Sequence, residues 1–175
     1  MVNESSLTQE RGVSSALAIA ELVKLGFTDV VMIPDSESAR LFDAAREHAG
    51  LSVISPTREG EGIAIAAGLW VGGRKPLVVI QNTGLMEAGD ALRGCAIGPR
   101  IPLRLMVGWR GYGGAQAGAL PLDSAYPFTE PLLAAWQIPT WHLMNDEGLA
   151  HLETMDQTAE STSLPAALLT GWSFR

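Results

Sequence analysis

The stretch DVVMIP, residues 29–34, is a continuous run of β-branched and apolar residues closed by proline. An exposed-face strand alternates polar and apolar residues, whereas a strand covered on both faces does not, so this run reads as a buried strand of a parallel sheet. Working outward, a helix is expected over residues 7–25, capped by Ser5 or Ser6, with Val13, Ala16, Leu17, Ala20 and Val23 at helical spacing and Gly26 as its stop. Downstream, helices are expected over 38–49, 59–71, 86–96, 128–136 and 147–159, and strands over 51–54, 77–80, 101–107, 140–143 and 166–170. Six strands alternating with helices imply an α/β fold: one domain over residues 1–175, residues 1–6 flexible, with a mostly parallel sheet flanked by helices on both faces. The stretch 108–123, with five Gly within 108–118, reads as the longest irregular segment.

Composition narrows the functional classes. A formal net charge of -7, with ten Arg and two Lys scattered along the chain, argues against a nucleic-acid or anionic-membrane surface. The single Cys95 excludes an intrachain disulfide and any multi-cysteine metal site, and is expected to be a small buried residue in a reducing, cytoplasmic setting. The opening MVNESSLTQERG is polar and acidic, unlike a signal or transit peptide, and no apolar run approaches the roughly 18 residues of a membrane span.

In parallel sheets, chemistry sits at the carboxyl ends of strands, which directs attention to residues 34–37, 56–61, 81–85 and 108–123. In REGEGIAIAAGLW, residues 58–70, a carboxylate stands in the first turn of a small-residue helix. The helix dipole favours an acid there, so capping alone accounts for its charge. Asp35 either orients substrate and moves a proton or caps the following helix. Arg110 presents a guanidinium fork suited to sulfonate, phosphonate or carboxylate oxygens, or to an interface carboxylate. Trp109 walls a pocket or fills the core. His48, His142 and His151 have no metal-ligand spacing, and no metal ligand is assigned in this chain.

The segment around Glu59 resembles the pyrimidine-domain motif of thiamine-diphosphate enzymes, a Glu followed by a small residue at +3 and Gly at +9, here Glu59, Gly62 and Gly68. Glu61 does not fit that offset and is read as a solvated or interface charge. Three further stretches resemble the sulfopyruvate and phosphonopyruvate decarboxylases of that superfamily: PDS at 34–36, QNTGL at 81–85 and GWRG at 108–111. The resemblance implies that Glu59 hydrogen-bonds a ring nitrogen of the cofactor's aminopyrimidine and favours the tautomer that deprotonates the thiazolium, while the thiazolium serves as electron sink for loss of carbon dioxide. It implies cofactor contacts at Gln81, Asn82, Thr83, Gly84 and Leu85, and substrate contacts at Asp35, Ser36, Asn82 and Arg110, with Asp35 assisting proton transfer. Gly60 and Gly62 are expected to admit the ring or a neighbouring chain close to the backbone.

The resemblance breaks after GWRG, where phosphonopyruvate decarboxylases carry E-P-Q-H and this chain reads GGAQAGALPLDS, residues 113–124. Nor does the sequence contain the G-D-G with a later Asn that holds Mg2+ and the cofactor diphosphate in the family. The resemblance thus implies a partner β subunit bearing the diphosphate and magnesium site, in a hetero-oligomer with at least two copies of each chain. The expected activity is decarboxylation of a 3-sulfopyruvate-like anionic 2-oxo acid to an aldehyde. The alternatives are phosphonopyruvate decarboxylase, another thiamine-dependent lyase or carboligase subunit, or a non-catalytic regulatory or scaffolding subunit.

Overall fold

In the computed structural model, residues 11–118 and 123–175 are described. Six strands, β1 (Asp29–Met32), β2 (Ser52–Ile54), β3 (Pro76–Gln81), β4 (Arg104–Gly108), β5 (Thr140–His142) and β6 (Ala166–Thr170), form one sheet in the order β2-β1-β3-β4-β6-β5. Every pairing is parallel, so the expected mostly parallel sheet is wholly so.

The helices are α1 (Ser15–Lys24), α2 (Ala39–Glu47), α3 (Glu59–Val71), α4 (Asn82–Glu87), α5 (Gly89–Leu92), α6 (Tyr112–Gln116), α7 (Thr129–Ala135) and α8 (Ala150–Thr162). Side chains alternate across the strands into two cores. Val30, Met32, Leu77 and Met106 meet α1, α2 and α8, while Val31, Val78, Leu105 and Val107 meet α3, α5 and α7. Most of these are fully buried, and each such aliphatic side chain contributes roughly 1.5–3 kcal/mol. The two faces also sort the connections. Crossovers towards the β5 edge, from β2, β3 and β4, use helices of the second face, and those in the opposite direction, through α2 and α8, use the first. One crossover hand therefore runs through the whole sheet.

The chain leaves β1 towards one edge and β3 towards the other, so the carboxyl ends of these neighbours form a topological switch point, where open α/β sheets bind ligands. The turn before α2 and the start of α4 lie there.

Local differences from the sequence reading have physical causes. The expected cap at Ser5 or Ser6 lies outside the described residues. Within them the first helix starts only at Ser15, because Gly12 has a φ of 88° and Val13 and Ser15 bond to Arg175, C=O and N–H respectively, in place of helix bonds. Ser14 is its cap, accepting from the Leu17 amide at 3.4 Å. The expected helix over 86–96 starts earlier, at Asn82, and is broken at Ala88 before passing into a π-turn, Arg93–Ile97. The supposedly irregular stretch after β4 contains α6. Gly111, at φ 93°, turns the chain into it, and Gly113 lies so close to Trp172 that a Cβ would stand 2.8 Å from the ring. Glycine here permits packing rather than disorder. Among the described residues, no helix is long and apolar enough to cross a membrane.

Candidate functional site

At the amino end of α3 three carboxylates compete for the free N–H groups that every helix start exposes. Glu61 accepts from the Thr57 amide and hydroxyl, both at 2.7 Å. These bonds hold its carboxyl below the usual carboxylate range, the Thr57 hydroxyl first. Glu87, from α4, accepts from the Gly60 amide at 2.8 Å and meets Arg58 at 2.5 Å. The half-buried Glu59 carboxylate, by contrast, has no hydrogen-bond or ion-pair partner among the described residues. The Gly60 amide of the first turn goes to Glu87 and the Thr57 amide before the helix to Glu61, so Glu59 caps neither. Glu87 carried no motif signal in the sequence; its role arises only from the packing of α4 on α3.

Glu59 lies against Gly84, where a Cβ would sit 2.4 Å from Glu59 Cγ and 2.5 Å from Oε1. Only glycine leaves room for the carboxylate, which ties together two segments 25 residues apart in the sequence. Within this chain, Gly60 and Gly62 admit neighbouring side chains. Both are buried; a Cβ at Gly60 would make ordinary contact with Glu87 and Ala91, while one at Gly62 would stand 3.1 Å from Pro56 of the same chain. Gly68 is outward-facing, and a Cβ added there would meet nothing within 4 Å; exposed Ala64 and Val71 lie beside it. Helix α3 is thus apolar on the face that points away from the sheet as well as on its buried face.

The QNTGL segment divides sharply by direction. Gln81 ends β3 half-buried, and Thr83 is exposed on the first turn of α4. Asn82 points into the protein. It is 0% exposed, donates to the Arg110 carbonyl at 3.1 Å and to Thr129 Oγ1 at 3.2 Å, and accepts from the Thr83 amide at 3.0 Å. These bonds fix the loop after β4 to the start of α4. Leu85 is likewise fully buried, within the core under α3.

At the end of β1, Asp35 Oδ1 accepts from the Glu37 and Ser38 amides at 2.7 and 2.9 Å, closing the turn into α2, while Ser36 is exposed on that turn. The capping role considered for Asp35 is therefore occupied by one oxygen, and its other oxygen makes no bond among the described residues. Arg110 is 54% exposed and its Nε lies 2.8 Å from Asp123 Oδ2, so the fork is anchored by an internal carboxylate. Trp109 is core: it stacks on Tyr126 with ring centroids 5.0 Å apart and donates through Nε1 to the Tyr126 carbonyl. Arg110, Asp123 and Glu37 line a cleft of about 380 Å³ with Tyr112 and Trp172. Sequence reasoning missed Glu37 and Asp123, neither of which stands in a motif. Cys95 is partly exposed rather than buried.

Among the described residues, the arrangement presents the unpartnered Glu59 carboxylate on a glycine floor at the sheet's carboxyl edge, with a mixed-charge cleft at the same edge. Among the described residues, no three His, Cys, Asp or Glu side chains are grouped to hold a metal ion.

Comparison with known proteins bears on the same segments. The family profile described as "Thiamine pyrophosphate enzyme, N-terminal TPP binding domain" matches residues 14–126, well over half of the chain. A phosphonopyruvate decarboxylase of Streptomyces viridochromogenes is 32% identical over 99 residues, covering 57% of this chain and 25% of that protein. A sulfopyruvate decarboxylase of Methanosarcina acetivorans is 37% identical over 75 residues, 42% of this chain and 19% of that one. The chain thus spans about a quarter or less of the length of these relatives. By contrast, a protein named sulfopyruvate decarboxylase subunit alpha, from Methanocaldococcus jannaschii, is 27% identical over 157 residues, covering 88% of this chain and 91% of its own.

Proposed function

The chain belongs to the thiamine pyrophosphate enzyme family, as an N-terminal TPP binding domain, and from that premise we propose that it is the α subunit of a two-chain decarboxylase. Its substrate would be an anionic 2-oxo acid of the 3-sulfopyruvate type, released as aldehyde and carbon dioxide. Residues 1–175 then form one pyrimidine-binding domain. The observation that carries the reading is Glu59, a half-buried carboxylate without a partner among the described residues beside Gly84, while Glu61 is engaged by Thr57 and Glu87 by the Gly60 amide. A carboxylate so placed is free to bond a ring nitrogen that arrives at the carboxyl edge of the sheet.

When bound, thiamine diphosphate supplies the electron sink for decarboxylation. In this reading Glu59 binds the aminopyrimidine and holds a proton at its ring nitrogen, with Gly84 giving the carboxylate its place. Gln81, Thr83 and the backbone at Gly84 border the ring. Asn82 and Leu85 act from behind, Asn82 by holding the Arg110 loop and Leu85 by anchoring α4 in the core. Asp35 and Ser36 meet the reacting end of the substrate from the β1 turn, and Arg110 meets its distal anion.

The described residues offer no grouped metal ligands, and Mg2+ with the diphosphate is assigned to a partner β subunit. The outward apolar face of α3, where Val71 is 71% exposed, supports such a partner, as does the name of the relative that matches nearly end to end. The chain is proposed to act in the cytoplasm. Because relatives also carry the phosphonopyruvate name, a 3-phosphono substrate is the second reading for the same cleft. Co-expression with the candidate partner and assay of aldehyde release over a panel of 2-oxo acids tests this. Activity restored only in the two-chain mixture is the expected result, and turnover or micromolar cofactor binding by the isolated chain would overturn the split site.

A further inference from the structure

The cleft beside Arg110 opens from the same sheet edge as Glu59. Gln81 and Gly108 are register partners at the ends of β3 and β4, and Glu37 Oε2 lies over Gly108, 3.6 Å from where a Cβ would be. The Arg110 carbonyl is bonded to Asn82, two residues from the glycine against which Glu59 lies.

Charges within the cleft do not add up to a simple anion site. Asp123, 8% exposed, directs Oδ2 to Arg110 Nε at 2.8 Å and accepts from the Ala125 amide through Oδ1 at 2.7 Å. It aims the guanidinium and cancels its charge, leaving the Nη groups without a partner among the described residues. Glu37 adds a second carboxylate. Its main chain is fixed from both sides, the amide by Asp35 Oδ1 at 2.7 Å and the carbonyl by the Phe174 amide at 2.9 Å, so its side chain is held at the cleft. With Glu37 ionised the cluster of Arg110, Asp123 and Glu37 is net negative, and with Glu37 neutral it is balanced.

We infer that Glu37 sets specificity for the substrate's distal group. As a neutral acid it donates a hydrogen bond to a distal sulfonate lying on the Arg110 fork, and as a carboxylate it repels that sulfonate. The inference rests on the reading of this cleft as the distal subsite of a decarboxylase for anionic 2-oxo acids. Burial raises the Glu37 carboxyl above its ordinary 4.5, and Asp35 and Asp123 raise it further against the opposing Arg110. Among the described residues, those three and the Tyr112 hydroxyl on the wall from α6 are the titratable groups facing it; the C-terminal segment presents Gly171, Trp172 and Ser173, with the Arg11 guanidinium 5.0 Å over the Trp172 ring. The sign follows. Below the raised value Glu37 is neutral and the anion is accepted; as pH rises through that value acceptance is lost, and binding the anion where Glu37 is ionised takes up a proton.

The test uses the assembled two-chain enzyme and the ratio of kcat/KM for 3-sulfopyruvate to that for pyruvate. A sulfonate keeps one charge throughout the accessible pH range, and pyruvate, which lacks the distal anion, cancels the pH dependence of the chemistry. As pH rises from below the ordinary carboxyl range through the raised Glu37 value, the ratio should fall on the order of tenfold. In Glu37→Gln, which keeps a donor and removes the charge, it should be flat. A flat wild-type ratio, or a slope that survives Glu37→Gln, overturns the inference. Calorimetry with ethanesulfonate, in buffers of different ionisation enthalpy, should register proton uptake that Glu37→Gln abolishes. If that uptake is found while no 2-oxo acid is decarboxylated, the reaction reading fails and the anion site stands. If sulfopyruvate is turned over without it, Glu37 has no such role.

Discussion

At the amino end of the sheet, Arg74 grips Asp29 through Nε and Nη2, each at 2.7 Å, and Asp156 bridges Lys75 at 2.6 Å and Arg104 at 2.9 Å, with Glu160 completing the network at 2.7 Å. At the carboxyl end, Glu59 has no such partner among the described residues, and Glu37 faces two other acids and one already paired arginine. The same residue types are present at both ends; what differs is whether each charge is matched. Arg104 and Asp29 are nearly inaccessible, and a buried charge persists only when its partners are in place. The amino end is therefore a staple between strand starts and α8. The carboxyl end keeps polar groups unmatched, which stabilises nothing by itself and leaves them available to a ligand.

Breaking one pair at the stapled end should produce the largest effect. Asp156→Ala leaves Arg104, 3% exposed in its side chain, with only Glu160 and the Pro102 carbonyl. Unfolding in urea should show a loss of about 3 kcal/mol, with activity per folded molecule unchanged once the enzyme is assembled. An unaltered unfolding midpoint would mean that this network does not staple the sheet.

The converse experiment is Glu59→Gln. The chain should be as stable as before and still assemble, while exchange of the thiazolium C–H proton in deuterated water, followed by NMR, slows by a factor on the order of a hundred or more. Glu61→Gln should exchange at close to the wild-type rate, since its carboxylate is engaged by Thr57. Slow exchange in Glu61→Gln alone would transfer the role to that residue, and normal exchange in both variants would remove the cofactor from this helix.

Gly84→Ala sharpens the contrast by filling the floor of the site. With the new Cβ 2.4 Å from Glu59 Cγ, a destabilisation of about 1–3 kcal/mol is expected, together with slowed exchange. In a Glu59→Ala background the destabilisation should largely disappear, because the two side chains compete for one space. Additive losses in the double variant would place the strain elsewhere.

The smallest effect concerns Glu61. Its carboxyl is depressed when folded, so it stabilises the chain above its unfolded pKa, and that contribution is lost as pH falls through the folded value. Glu61→Gln should flatten this part of the acid limb of stability against pH, seen as a smaller drop in Tm between neutral and acidic buffer. Thr57→Ala should remove part of the same contribution; an acid limb identical in all three proteins would show that the cap adds nothing.

Much of this architecture was legible in the sequence because its signals are local. The limits of α3 and β6, residues 59–71 and 166–170, follow from apolar runs bounded by charge, glycine or proline. Other elements were not legible. Asn82 to Gly84 has the composition of a turn, yet it forms the first turn of α4, since Asn82 finds its partners at Arg110 and Thr129. The Gly-rich chain of α6 becomes helical against Trp172. In the candidate site, Glu59, Arg110 and Asp35 stood in motifs, whereas Glu37, Glu87 and Asp123 stood in none.

A doubly covered parallel sheet and the position of its carboxyl edge can be read from the chain alone, because alternation of strand and helix and the apolar character of each strand are properties of neighbouring residues. Glu61 is engaged locally by Thr57, four residues before it, but whether Glu59 or Glu87 takes Arg58 and the Gly60 amide is settled by the packing of the folded chain. That outcome depends on how α4 packs across α3 and how the loop after β4 is tied to Asn82, and contacts between distant segments leave no periodic trace in the chain.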